Sequence, residues 1–308
     1  MTVHTSWTLD ALVAAYEQHL HRTRGLRDTS FAKHDLYVRR FLRGVFGGDP
    51  IDVGRLDPAA VVEFMLRSTE GFRPRTVGTV ATVLRSFFRF LRATGLSDGR
   101  LEDAVPSVAQ RRLAALPLGL TDDELTRLLA SASTTAGPCA ARDRAIVVCF
   151  SGLGLRPCEL GDLRLDDIDW RSGTLHIGAH KTRREGVLPL PREVGRAIVA
   201  YLRTERPKTS ERRVFVLHGK QKRGAPLGRS GASQVVAEAL RRAGIDARIR
   251  GAYVLRHTLA SRMVRHGTSL KEVADFLGHR SLDTTAIYAK LDLPALCEVA
   301  LPWPEVTP

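Results

Sequence analysis

Apolar residues recur at helical spacing through the first hundred residues of the chain. Leu9, Leu12, Val13, Tyr16 and Leu20 fall on one face, as do Leu36, Val38, Phe41 and Leu42. Asp57-Pro58 predicts the start of a third helix, since proline is tolerated in a first helical turn. The clearest stripe is Val77, Val80, Leu84, Phe87, Phe88 and Leu91, which predicts a helix over 76–91 closed by Gly95. The period fails between Glu102 and Gly119, where Pro106, Pro117 and the pair Arg111-Arg112 lie. These limits divide the chain into a helical domain, 1–105, a linker, 106–119, and a second domain, 120–308.

The second domain opens on Thr121-Asp122-Asp123-Glu124, a capping box that predicts a helix through Leu129. A buried helix over 142–150 runs into Gly152-Leu153-Gly154-Leu155-Arg156. A turn at Trp170-Arg171-Ser172-Gly173-Thr174 then introduces a strand, Leu175-His176-Ile177, with Val187-Leu188-Pro189-Leu190 as its partner. Residues 178–186 form the hairpin tip and carry Lys181, Arg183 and Arg184. Helices resume over 193–201, 233–243, 258–265 and 270–276 and around Tyr288. The fold class is mainly α, with a small antiparallel β-sheet in the C-terminal domain and a helical N-terminal domain.

Charge changes the picture. The chain of 308 residues holds 47 Lys+Arg against 33 Asp+Glu, a formal net charge of +14. A balance this basic points to a polyanionic partner, above all nucleic acid. Nearly all the cations are arginine, whose planar fork pairs with phosphate at two points. Lysine occurs only at Lys33, Lys181, Lys208, Lys220, Lys222, Lys271 and Lys290, and lysine is the cation that can give up a proton. Arg85, Arg89 and Arg92 form a ridge on one predicted helix, and Lys220, Lys222 and Arg223 lie in a Gly/Pro-containing loop. Together with Arg183 and Arg184 they are the expected DNA contacts.

Other classes are disfavoured. Cys139, Cys149, Cys158 and Cys297 form no CxxC pair and no zinc spacing, so reduced thiols are expected. No leader-like or membrane-spanning run is present, which predicts a cytoplasmic protein with no membrane partner. No cluster of carboxylates suggests a metal, and no cofactor is expected.

Five motifs then occur in order. Gly154-Leu155-Arg156-Pro157-Cys158-Glu159-Leu160 contains Arg-x-x-Glu-Leu, and Lys181 sits on the hairpin. Leu255-Arg256-His257-Thr258 follows, then Leu277-Gly278-His279, then Thr284-Thr285-Ala286-Ile287-Tyr288. This pattern resembles the tyrosine recombinases of the phage integrase family, closely over about 120–292 and in general helical character before it. The resemblance implies a site-specific recombinase or integrase that cuts and rejoins duplex DNA, in integration or mobile-element recombination. It also implies that the helical domain 1–105 is a core DNA-binding domain and 120–308, with its C-terminal tail, the catalytic domain, the two clamping the duplex, and a homo-tetramer on two DNA sites.

The chemistry fits these residue types. Transesterification at a phosphodiester needs a nucleophile, cations at the phosphate and a proton for the leaving 5′ oxygen. Tyr288 is the expected nucleophile, giving a covalent 3′-phosphotyrosine that conserves the bond energy without ATP. Arg156 and Arg256 are expected to hold the non-bridging oxygens, with His279 donating to the same phosphate. Lys181 is the expected general acid and Glu159 a supporting residue that orients the site. His257 is read as structural.

One position departs from the pattern. Three residues before Arg256 the family commonly has His, and this chain has Tyr253. A phenol with a pKa near 10 is a poor base at neutral pH, so Tyr253 is expected to position groups, with water or His279 accepting the proton. Two rival readings are a DNA-binding regulator without cleavage and a monomeric type IB topoisomerase. The apolar tail after Tyr288 could dock on a neighbouring protomer or on its own domain.

Overall fold

The computed structural model describes residues 6–25, 28–97, 99–107, 119–134, 136–178, 185–246, 251–279, 281 and 284–291, with 28–30 described in backbone only. The hairpin tip with Lys181, Arg183 and Arg184, most of the 106–119 linker and the tail from Asp292 lie outside the described residues. The chain forms two compact units, Met1–Arg111 and Arg112–Pro308.

Among the described residues the first unit holds four α-helices: α1 (Leu9–Arg24), α2 (Asp28–Phe46), α3 (Pro58–Ser68) and α4 (Pro74–Ala93). Two short strands, β1 (Ser6–Trp7) and β2 (Ile51–Asp52), pair antiparallel at its edge. The starts follow local chemistry. The Thr8 hydroxyl accepts from Ala11 N, and the Asp57 carboxylate accepts from Ala60 N at 2.7 Å ahead of Pro58. The predicted stripe on α4 is buried from Val80 to Leu91, with Val77 partly buried, and Phe87, Phe88 and Phe90 meet Tyr16 and Phe41 in edge-on or tilted ring contacts. The helix starts two residues earlier than the predicted 76 because Pro74 fits the first turn. Leu101 and Val105 also enter this core, through a 3-10 turn at Leu101–Ala104.

The second unit is built around α6 (Ala140–Leu153), which is buried on nearly every side. Around it pack α5 (Asp122–Thr134), α8 (Arg192–Thr204), α9 (Arg229–Arg242) and α10 (Tyr253–Arg265). Before α5 the Thr121 and Glu124 side chains cap each other's backbone N–H, as the motif predicts. The short α7 (Pro157–Asp162) follows α6, and α11 (Leu270–Leu277) follows α10. A three-stranded antiparallel sheet runs β3 (Ile168–Asp169), β4 (Thr174–Ile177), β5 (Gly186–Pro189). Leu175 faces Leu188, and His176 faces Val187. The fold is thus mainly α with small antiparallel sheets, as expected.

Two differences from the sequence reading bear on the site. Helix α10 begins at Tyr253 rather than near Thr258, so Tyr253, Arg256 and His257 are on the helix at i, i+3 and i+4. Buried Arg256 interrupts the apolar period that would have marked this turn. The second domain also starts on α10. Leu120 N donates to the Thr258 hydroxyl at 2.8 Å, which in turn donates to the Val254 carbonyl. No helix among the described residues is long and apolar enough to cross a membrane.

Candidate active site

Three chain segments converge on the C-terminus of α11. Helix α6 ends at Gly154, whose φ of 58° lies in the left-handed region that glycine adopts without strain. The chain then turns into α7 with Arg156 at its N-cap and Pro157 in the first turn. Glu159, one turn on, is buried and accepts from both ends of Arg156: the backbone N–H at 2.8 Å and Nη1 at 2.7 Å. Arg156 Nη2 donates to the Gly278 carbonyl at 3.2 Å, with a longer contact of 3.5 Å from Nη1 to Leu277 O.

Arg256 arrives from α10. It is 5% exposed and donates from Nη1 to Gly154 O at 2.6 Å and from Nη2 to Leu277 O at 2.7 Å. The Leu277 carbonyl is therefore shared by both arginines, and the negative end of α11 favours their charge. Carbonyl oxygens orient a guanidinium without neutralising it. Gly154 is doubly constrained, because a Cβ there would lie 2.9 Å from Leu277 Cδ2 and 3.0 Å from Leu259 Cδ2. Gly154→Ala should cost about 2 kcal/mol or more, combining left-handed strain with that crowding. Urea unfolding measures it, and an unchanged midpoint would contradict this geometry.

His279 follows directly on Gly278, which ends α11 in the left-handed conformation (φ 62°). Its ring is half-buried, with Nδ1 2.7 Å from the hydroxyl of Thr285, a fully buried side chain. Three residues beyond Thr285, Tyr288 lies in a 3-10 turn, Ala286–Leu291. Tyr288 N donates to Thr285 O, and the ring packs with Ala260, Val264, Val273 and Leu277 in a small core of its own. Only 2% of Tyr288 is exposed.

Its hydroxyl lies 2.7 Å from His257 Nδ1, with ring centroids 5.8 Å apart. Burial, and then the charge of Arg256, lower the His257 pKa, which favours a neutral ring. Burial pushes the Tyr288 phenol up to about 12, opposed by Arg256. A folded pKa above the unfolded 10.0 means stability that is complete below pH 10 and lost as pH climbs toward 12. Between about pH 8 and about pH 11, wild type should lose roughly 1–2 kcal/mol more stability than Tyr288→Phe in urea titrations. Equal losses would contradict the buried-phenol geometry.

The structure thus brings Arg156, Glu159, Arg256, His279 and Tyr288 into one connected region. Tyr253 is half exposed at the start of α10. Sequence reasoning missed Thr285 as the partner of His279 and set His257 aside, because neither pairing leaves a spacing signal. The expected DNA contacts divide. Arg89 is exposed, whereas Arg85 donates to the Val105 and Pro106 carbonyls and Arg92 pairs with buried Glu102 at 2.8 Å. The ridge free of acids in sequence therefore meets an acid in space. Lys220, Lys222 and Arg223 are exposed at the tip of a tight turn closed by the Val216–Pro226 bridge.

Known proteins resemble this chain in sequence and in fold. The sequence profile of the phage integrase family matches residues 119–293. A putative integrase/recombinase of Sinorhizobium fredii, y4rA, is 40% identical over 301 residues, covering 98% of this chain and 73% of that protein. The tyrosine recombinase XerD of Mycobacterium tuberculosis is 30% identical over 309 residues, 95% of this chain and 96% of its own. In fold, the crystal structure of the XerH site-specific recombinase bound to its palindromic difH substrate superposes with a TM-score of 0.72 at 21% identity. The match covers 95% of this chain and 85% of XerH. The chain belongs to the phage integrase family: it is a tyrosine recombinase, an enzyme of site-specific recombination that cuts and rejoins DNA.

Proposed function

We propose that the protein acts on duplex DNA through a covalent 3′-phosphotyrosine link formed by Tyr288. Arg156 and Arg256 bind the non-bridging oxygens of the scissile phosphate, and the Nε2 edge of His279 donates to the same group. Lys181 protonates the leaving 5′ oxygen. Glu159 positions Arg156 and touches no substrate, and Tyr253 lines the approach to the phosphate. The observation that carries this reading is the shared Leu277 carbonyl, which holds two guanidinium groups together one residue from the Gly278-His279 pair. The XerH structure is described as a post-cleavage complex with its palindromic difH substrate, which supports cleavage chemistry here.

Arg89, Lys220, Lys222, Arg223, Arg183 and Arg184 supply the phosphate contacts that hold the duplex. The active assembly is a homo-tetramer on two sites, working in the cytoplasm in DNA integration or mobile-element recombination.

The test is covalent capture from a pool of nicked random-sequence duplexes, with sequencing of the trapped strands. The expected product carries protein on the 3′ end of the 5′-labelled strand, with one enriched sequence. Retention on the 5′ end, or DNA binding without any adduct, would overturn the reading. Plasmid relaxation without exchange between two enriched sites would reassign the protein to the topoisomerase alternative.

A further inference from the structure

The reaction leaves one proton without an acceptor. When the Tyr288 oxygen bonds to phosphorus its hydrogen must go elsewhere, and the position where the family commonly has His is Tyr253. That phenol is half exposed at the first turn of α10 and is a poor base. His279 is held through Nδ1 by Thr285. The imidazole that touches the nucleophile is His257, four residues after Tyr253 and one turn further along the same helix face.

We propose that His257 is the proton acceptor for Tyr288, an inference that rests on Tyr288 being the nucleophile. With the ring neutral and its hydrogen on Nε2, the Tyr288 hydroxyl donates to Nδ1 across 2.7 Å. As the Tyr288 oxygen–phosphorus bond forms, the O–H bond breaks and its proton moves to Nδ1. The phosphorus–O5′ bond breaks, and O5′ takes its proton from the general acid, assigned to Lys181. In rejoining, the 5′ hydroxyl attacks the phosphotyrosine and returns its proton to the now neutral group assigned to Lys181, the Tyr288 oxygen–phosphorus bond breaks, and the departing Tyr288 oxygen recovers its proton from His257. No oxidant, metal or nucleotide enters this balance.

The neighbouring charge makes the timing favourable. Without DNA, burial and Arg256 both disfavour the imidazolium, so His257 waits in the form that can accept. A phosphate bound to Arg256 offsets that positive charge and stabilises the imidazolium as it forms. Acceptance therefore becomes easier when substrate is in place.

The test uses the full-length protein and single-turnover adduct formation on a nicked substrate, with His257→Asn as the main variant. An asparagine amide reaches the Nδ1 position and keeps a hydrogen bond to Tyr288 but takes no proton. The expected result is a rate lower by about 10²-fold or more with DNA affinity and melting temperature retained. A second substrate with sulfur in place of the 5′ bridging oxygen needs no general acid, so it should rescue Lys181→Ala and leave His257→Asn slow.

Wild-type rates for His257→Asn, or rescue of that variant by the sulfur substrate, would overturn the proposal. Tyr288→Phe run beside them separates the two levels. Adducts surviving in that variant defeat the nucleophile reading itself, whereas their loss together with a fully active His257→Asn defeats only the proton acceptor.

Discussion

A Tyr288→Phe protein is expected to fold and bind DNA as wild type does and to form no covalent adduct. The substitution removes one oxygen and keeps the ring seated among Ala260, Val264, Val273 and Leu277. Its structural cost is confined to leaving His257 Nδ1 without the phenol, about 1–3 kcal/mol. Tyr288→Ala would empty a site that is almost fully buried and cost roughly 3–5 kcal/mol, confusing lost chemistry with lost folding. The assay is adduct formation on a nicked duplex, with band retardation for binding. Tyr253→Phe is the companion: it should slow adduct formation and not abolish it, since Tyr253 is exposed and outside the Tyr288–His257 pair. Adducts that persist in Tyr288→Phe and vanish in Tyr253→Phe would move the nucleophile to the exposed tyrosine.

The second large effect is expected at Arg256. Arg256→Lys preserves the charge and removes the fork that reaches Gly154 O and Leu277 O at once. A lysine satisfies those carbonyls only one at a time and presents a point charge to the phosphate. The rate of adduct formation should fall by about 10²–10³-fold, as when an oxyanion-stabilising donor is removed. DNA affinity should change little, because it is spread over many phosphate contacts. Arg256→Ala is less informative, since it removes the donor to the Gly154 carbonyl, leaves the Leu277 carbonyl only the 3.5 Å contact from Arg156, and adds a folding penalty of about 1–3 kcal/mol for an orphaned group. Single-turnover rates with the affinity measured separately distinguish these terms. A Lys variant at wild-type speed would mean that charge alone, not the fork, serves the phosphate.

How far the sequence reaches is visible in these same residues. The left-handed turn at Gly154 became visible only in the structure, whereas the pairing of Arg156 with Glu159 was legible because it is local, an Arg-x-x-Glu one helical turn apart. The α4 stripe was legible for the same reason, since burial repeats at helical spacing. The His257–Tyr288 contact spans 31 residues and unites a helix with a 3-10 turn, so no period or motif announces it. The early start of α10 was hidden by the feature that makes it functional, a charged residue on a buried face. Arg85 and Arg92 read as a free cationic ridge until the chain after α4 folds back, bringing Glu102 and two carbonyls to them. Strand β3 is two residues long, too short for alternation to register.

Whether Tyr288 carries the DNA is read by mass spectrometry of the trapped adduct after digestion of both polymers. The expected result is a nucleotide phosphate mass on the peptide that contains Tyr288, with the fragment ions placing it on that side chain. The same mass on Tyr253, on a serine, or on no peptide at all would contradict it.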